Sequence, residues 1–242
     1  MLCFASWSAF ALTLQAADKI SRMTLVVSSG HEELGGYKAY MNQHGIKIMY
    51  LAGKAYIVSN APTWRVLFFN PVNKKGLEMS LDEWLKHRMQ LYYLSIPTTK
   101  PNWALVADGT TKFYGYPCKH YLMCRPDAAG HPDKRVDKQR EYLLLQSPLV
   151  NSIGCRILQH SMELPEGVGV PVSVKFISDD PTYKDAEGGK RVVRMLKTTE
   201  VTQQQVSDDF FQYPPHFEPA KREADILNDP TRGRDVESVF YP

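Results

Sequence analysis

Residues 35–70 read GGYKAYMNQHGIKIMYLAGKAYIVSNAPTWRVLFFN. Runs rich in β-branched and aromatic residues, at 37–41, 46–50, 55–58 and 65–69, are divided by Gly45, Gly53 and the Asn60-Ala61-Pro62 group. Short apolar runs separated by tight-turn residues are consecutive antiparallel strands. They predict the meander of a curved sheet, not the strand–helix alternation of a parallel one. Upstream, Met23, Leu25 and Val27 alternate with Thr24 and Val26, and a glycine loop through Gly35-Gly36 follows.

Further along, Ser80-Leu81-Asp82-Glu83 has the serine and glutamate spacing of a capping box, which satisfies free amide donors at a helix start. Leu81, Trp84, Leu85 and Tyr92 fall near one face of the predicted helix. Strands are predicted to resume at 103–107, 113–123 and 141–145. A second helix is predicted from Ser147-Pro148, a cap residue followed by a first-turn proline, to about Met162. Leu149, Val150, Ile153, Ile157 and Leu164 gather on one side of it, with Ile157 at the centre. Cys155, Leu158 and Met162 lie nearly opposite, and Gln159 is expected to point elsewhere. A helix apolar on two sides is buried on two sides, which places it in the concavity of the sheet. Val170, Val172, Val174 and Phe176 alternate with Ser173 and Lys175 in the clearest strand pattern of the chain, and an Asp/Gly-rich loop joins this run to 191–201. The fold class expected is therefore α+β, mostly β: a strongly curved antiparallel sheet with helices on its concave side.

Hydrophobic residues make up 43% of the 242, enough for one substantial core, and the net charge of +3 is too small to mark a nucleic-acid surface. The basic cluster at 134–140 is diluted by Asp137 and reads as a solvated loop, with contact to an acidic surface as the alternative. Residues 1–17 carry no charge and end in Ala16-Ala17. They resemble a secretory signal peptide, although no Lys or Arg precedes the apolar run. The expected organisation is a signal peptide at 1–17, one domain at 18–218 and an irregular tail at 219–242, in a periplasmic or secreted protein. No stretch beyond the first is apolar enough to span a bilayer.

Gly53-Lys54-Ala55-Tyr56-Ile57-Val58, followed by the aromatic strand Trp64 to Pro71, resembles a portion of the lipoprotein carriers of the LolA and LolB type. Gly115-Tyr116-Pro117-Cys118-Lys119-His120-Tyr121 is similar to a strand of related exported proteins. Lys197-Thr198-Thr199-Glu200-Val201 and Phe210-Phe211-Gln212-Tyr213-Pro214 resemble their closing strand and exit. The resemblance covers roughly 20–218. It implies an incomplete β-barrel whose open side is plugged by helices, with an apolar cavity for acyl chains. The Pro-x-x-Phe-x-Trp strand of the carriers is absent, so no functional role passes to Arg65.

Cys118 and Cys124 would lie about 20 Å apart on a continuous strand, too far to share a metal or a bond. A bridge from Cys155 to either is left open. His160 reads as a core or cavity-edge histidine. No catalytic motif, metal site or cofactor motif is present. The aromatic side chains on predicted strands read mainly as core. The candidate cavity lining is Trp64, Phe68, Phe69, Trp103, Tyr114, Tyr116 and Tyr121, with Ile157 of the second helix. The expected function is non-catalytic binding of a lipid, acyl chain, acylated protein or other hydrophobic ligand. The alternative is a structural or interaction protein of the cell envelope with a filled core.

Overall fold

Two antiparallel meanders share one sheet. A computed structural model describes residues 20–31, 35–50, 55–87, 103–127, 129–132, 139–178 and 191–227. The first meander is β1 (Ser21–His31), β2 (Gly35–Met41), β3 (Gly45–Tyr50), β4 (Tyr56–Asn60), β5 (Val66–Asn70) and β6 (Lys75–Met79). The second is β7 (Ala104–Phe113), β8 (Tyr116–Cys124), β9 (Gln139–Leu145), β10 (Val170–Ser178) and β11 (Arg191–Ser207). They join where β1 pairs with β11, Ser21 standing opposite Ser207. With the short β12 (Glu218–Pro219), the order across the sheet is β12-β6-β5-β4-β3-β2-β1-β11-β10-β9-β8-β7. The sheet is open, and the expected mostly-β half-barrel class holds.

The far edge curls back over the centre. Gln203 Nε2 on β11 donates to Tyr116 Oη on β8 at 3.0 Å, and Tyr114 Oη donates to the Thr199 carbonyl at 2.8 Å. β8 lies three strands from β11 in the order, which in a flat sheet is about 14 Å. The turn that makes this approach was predicted as strand interior. Tyr114 and Gly115 have φ of 50° and 81°, the paired positive angles of a tight hairpin turn, and Phe113 pairs with Tyr116 across it.

Helix α1 (Leu81–Lys86) begins at the predicted capping box: the Ser80 side chain accepts from the Glu83 amide, and the Glu83 carboxylate accepts from the Ser80 amide at 2.7 Å. Tyr92, expected on its face, lies outside the described residues. Helix α2 (Ser152–Ser161) starts later than predicted. Ser147 Oγ accepts from the Leu149 amide and closes a local turn, while Asn151 Oδ1 accepts from the Ile153 amide at 2.9 Å and is the true cap. The Asn151 amide also donates to the Asn42 carbonyl, which ties the helix start to the β2–β3 turn.

Helix α2 lies over the concave face, packed on β3 and β10. Its two apolar sides are both buried, as expected: Ile157 and Leu158 are fully covered, and Cys155, Met162 and Leu164 nearly so. Beneath them Leu25, Met41, Ile46, Ile48, Ile57 and Tyr142 are fully buried. Gln159 does not point elsewhere. It is fully buried, because the loop after the helix needs its amide.

The chain after β11 forms a strap, where an irregular tail was expected from 219. A 3-10 turn (Asp208–Phe211) capped by Ser207 carries the chain onto the convex face of the first meander. Phe211 packs on Gly45, where a Cβ would lie 2.8 Å from its ring. Tyr213 Oη donates to the Arg65 carbonyl at 2.6 Å. Tyr213 and Phe217 pack against Val58, Leu67 and Phe69. β12 then pairs in parallel with β6, and helix α3 (Glu223–Leu227) turns to the concave side, where Ile226 is fully buried in the main core.

Candidate functional site

A cleft of about 380 Å³ opens beside the start of α2, between that helix, the end of β9 and the start of β10. Leu145, Val150, Cys155, Val168 and Val170 supply its apolar walls. Its volume is at the lower end of the range of ligand pockets, roughly 300–1,000 Å³. The outer wall is the loop 163–169, which returns the chain from α2 to β10.

Two glutamine amides fix that wall. Gln159 Nε2 donates to the Gly167 and Gly169 carbonyls at 2.9 and 2.8 Å, and Gln159 Oε1 accepts from the Gly167 amide at 3.0 Å. Gln146 Nε2 donates to the Leu144 carbonyl and to that of Val168. Gly169 has φ of 130°, and a Cβ there would meet the Gln146 amide at 2.4 Å. The wall is held from inside, and Val168 is left 63% exposed at the rim. The cleft is thus preformed.

Only two of the lining residues carry charge, Arg156 and Glu166, and they bond each other. Arg156 Nε donates to Glu166 Oε2 at 3.0 Å and Nη2 to Oε1 at 3.4 Å. Burial pushes the Cys155 thiol up to about 12, so it stays protonated at neutral pH and is a packing group rather than a nucleophile.

The eight residues expected to line a cavity are elsewhere. Trp64 and Phe68 are buried in the main core, and Ile157 is fully covered within it. Phe69 faces the opposite, convex side under the strap. Tyr114 is 57% exposed at the hairpin turn, with Tyr116 beside it. Tyr121 packs half-buried at the margin of the core. Trp103 is half-buried under the guanidinium groups of Arg125 and Arg140, at 5.4 and 4.7 Å from its ring. None of the eight lines the cleft. Its own residues left one trace in the sequence, Glu166-Gly-Val-Gly-Val170, two glycines around a valine.

Cys118, Cys124 and Cys155 are separate buried thiols, so Cys155 bridges neither of the others. His160 Nε2 lies 2.7 Å from the His87 carbonyl at the edge of the core. Among the described residues no cluster of His, Cys, Asp or Glu is arranged to hold a metal ion, and no helix is long and apolar enough to cross a membrane.

No family model and no curated protein matches the chain. Solved structures do. The chain is similar to MucB, at 10% identity and a TM-score of 0.36, over 81% of this chain and 59% of that one. It is similar to a LolA superfamily protein from Nitrosomonas europaea, at 10% identity and a TM-score of 0.25, over 81% of this chain and 91% of that one. It is also similar to a domain described as an outer membrane lipoprotein-sorting protein from Vibrio parahaemolyticus, at 10% identity and a TM-score of 0.28, over 78% of this chain and 88% of that one. This chain spans little more than half of the MucB chain it matches. These neighbours include the group that the sequence motifs resemble, at a distance that carries neither a ligand nor a residue's role across.

Proposed function

We propose that this is an exported, non-catalytic binding protein that holds an apolar group, such as a lipid, an acyl chain or the acyl group of a modified protein, in the cleft beside α2. The observation that carries the reading is the preformed apolar cleft between Val150, Val168 and Val170, whose outer wall is held by the amides of Gln146 and Gln159. A wall fixed before binding costs no ordering when a ligand arrives. The protonated Cys155 thiol gives the cleft no reactive group.

The protein purified with its native N-terminus would be extracted with solvent, analysed by mass spectrometry, and titrated with an apolar fluorophore. Val150→Trp, which fills the cleft from its half-exposed side, is expected to weaken fluorophore binding at least tenfold while the melting temperature holds. A well-folded sample with no extracted lipid and no affinity for the fluorophore sinks the proposal. Export has its own test: the mature chain should begin near Ala17 or Asp18, and an intact Met1 in the cytoplasm would overturn it.

One observation favours the alternative of an envelope interaction protein. The concavity itself is filled, with Ile46, Ile48, Ile57 and Ile157 all fully buried. On that reading the tail 219–242 is the contact element, and a partner would be lost on deletion of its part beyond the strap, 228–242, while fluorophore uptake stayed unchanged.

A further inference from the structure

We infer that the Arg156–Glu166 pair makes the cleft selective for uncharged apolar groups and disfavours free carboxylates; this rests on the cleft being the binding site. Arg156 is on α2, next in sequence to the deeply placed Cys155, while Glu166 is on the loop that forms the outer wall. The pair therefore joins helix to loop at the cleft. Both side chains are about half exposed. The guanidinium donates to both carboxylate oxygens, so its side-on donors are already engaged by an internal anion.

A ligand carboxylate at the mouth has two options. It can share Arg156 with Glu166, which brings two like charges to one cation. It can instead sit unpaired against Leu145, Val150 and Val170, which costs its desolvation. The polar groups nearby offer little relief. The Gln146 amide already donates to two carbonyls, and the hydroxyls of Ser147, which accepts from the Leu149 amide, and of Ser152 can each give only one neutral hydrogen bond, which repays part of that desolvation. An uncharged apolar group meets neither cost. The pair is solvent-screened, so the discrimination is modest, roughly two- to fivefold.

The test uses two probes that differ only in charge, pyrenebutanoate and its methyl ester, titrated by fluorescence at pH 7.4 against the full chain and Glu166→Gln. Removing the carboxylate charge leaves Arg156 available. Binding of the acid is expected to tighten about threefold relative to that of the ester in the same variant. Arg156→Gln should move the acid-to-ester ratio the other way, against the acid. If the acid's affinity is unmoved by Glu166→Gln, or acid and ester move together, the charge selection is wrong and the cleft reading stands. If the ester fails to bind the unmodified protein at all, the cleft reading falls and the selection falls with it.

Discussion

The two meanders are built from the same element but covered differently. β5 of the first, Val66-Leu67-Phe68-Phe69-Asn70, is buried at every position, because α2 and its neighbours cover one face of that meander and the strap covers the other. The second meander keeps charged side chains in partial contact with water. It carries His120, with Nδ1 3.0 Å from Asp108 Oδ2 and Nε2 3.5 Å from Glu141 Oε2, and Lys175 Nζ 2.7 Å from the same Glu141. The contrast follows the rule that strands buried on both faces read as continuous apolar runs, while half-buried strands alternate. An unbroken run such as Val66-Leu67-Phe68-Phe69 signals that something distant in sequence must lie on its far side.

The largest effect should come from the element that lies over both meanders. Ile157→Asp puts a carboxylate into a fully buried apolar site. It is expected to cost about 4 kcal/mol or more and to shift the urea midpoint drastically, or to prevent folding. A midpoint close to that of the unmodified protein would mean that α2 is a surface element. On the doubly covered side, Phe69→Ala should cost about 3 kcal/mol, because it opens a cavity between β5 and the strap. Unfolding by guanidinium chloride checks this.

The seam between the meanders should respond to acid. His31 lies at the end of β1, paired with Gly35 on one side and Leu196 on the other. Burial lowers its pKa from 6.5 to about 4. Below pH 6.5 the unfolded chain takes up a proton that the folded chain refuses. Stability is therefore full above about pH 6.5 and falls toward pH 4, by on the order of 2–3 kcal/mol. Urea midpoints at intervals from pH 7 to pH 4, compared with His31→Asn, measure the difference, which should vanish in the variant.

Gln159→Leu strips three hydrogen bonds from the loop wall and should cost about 2 kcal/mol. It should also loosen the cleft, so fluorophore affinity drops more than stability alone explains. The smallest effect is expected at the partly exposed charge pairs of the second meander. His120→Ala removes solvent-screened pairs and should cost less than about 1 kcal/mol. A loss as large as that of Phe69→Ala would show that these pairs are shielded from water.

Most strands, the capping box of α1 and the two-sided burial of α2 were legible because each is written in local periodicity. Other features depend on partners far along the chain. Phe69 alternates with Phe68, and without the strap in view either face could be the cavity side. Tyr114-Gly115 is a hairpin turn whose tyrosine takes a positive φ, a conformation that side chain does not advertise. β6 is short and holds Lys75 and Glu78, so it gives little apolar signal. Gln159 looked like a surface residue because its partners, the Gly167 and Gly169 carbonyls, become hydrogen-bond acceptors only once the loop has folded back. The cleft was missed for the same reason. Its lining comes from the ends of elements, where no periodicity exists.

The strap also sets an order of events. Asn70 Nδ2 donates to the Ile226 carbonyl, a bond between residues 156 positions apart, and β1 finds its second neighbour only in β11. At a synthesis rate of about 5–20 residues per second, residue 226 leaves the ribosome roughly 8–30 s after residue 70. Until then the first meander has an exposed apolar face, an open β6 edge and no strand to pair along β1. Its cover is completed only when the strap is in place. The opening half of the fold is therefore completed by its closing segment, and a chain interrupted before the strap exposes what the strap covers.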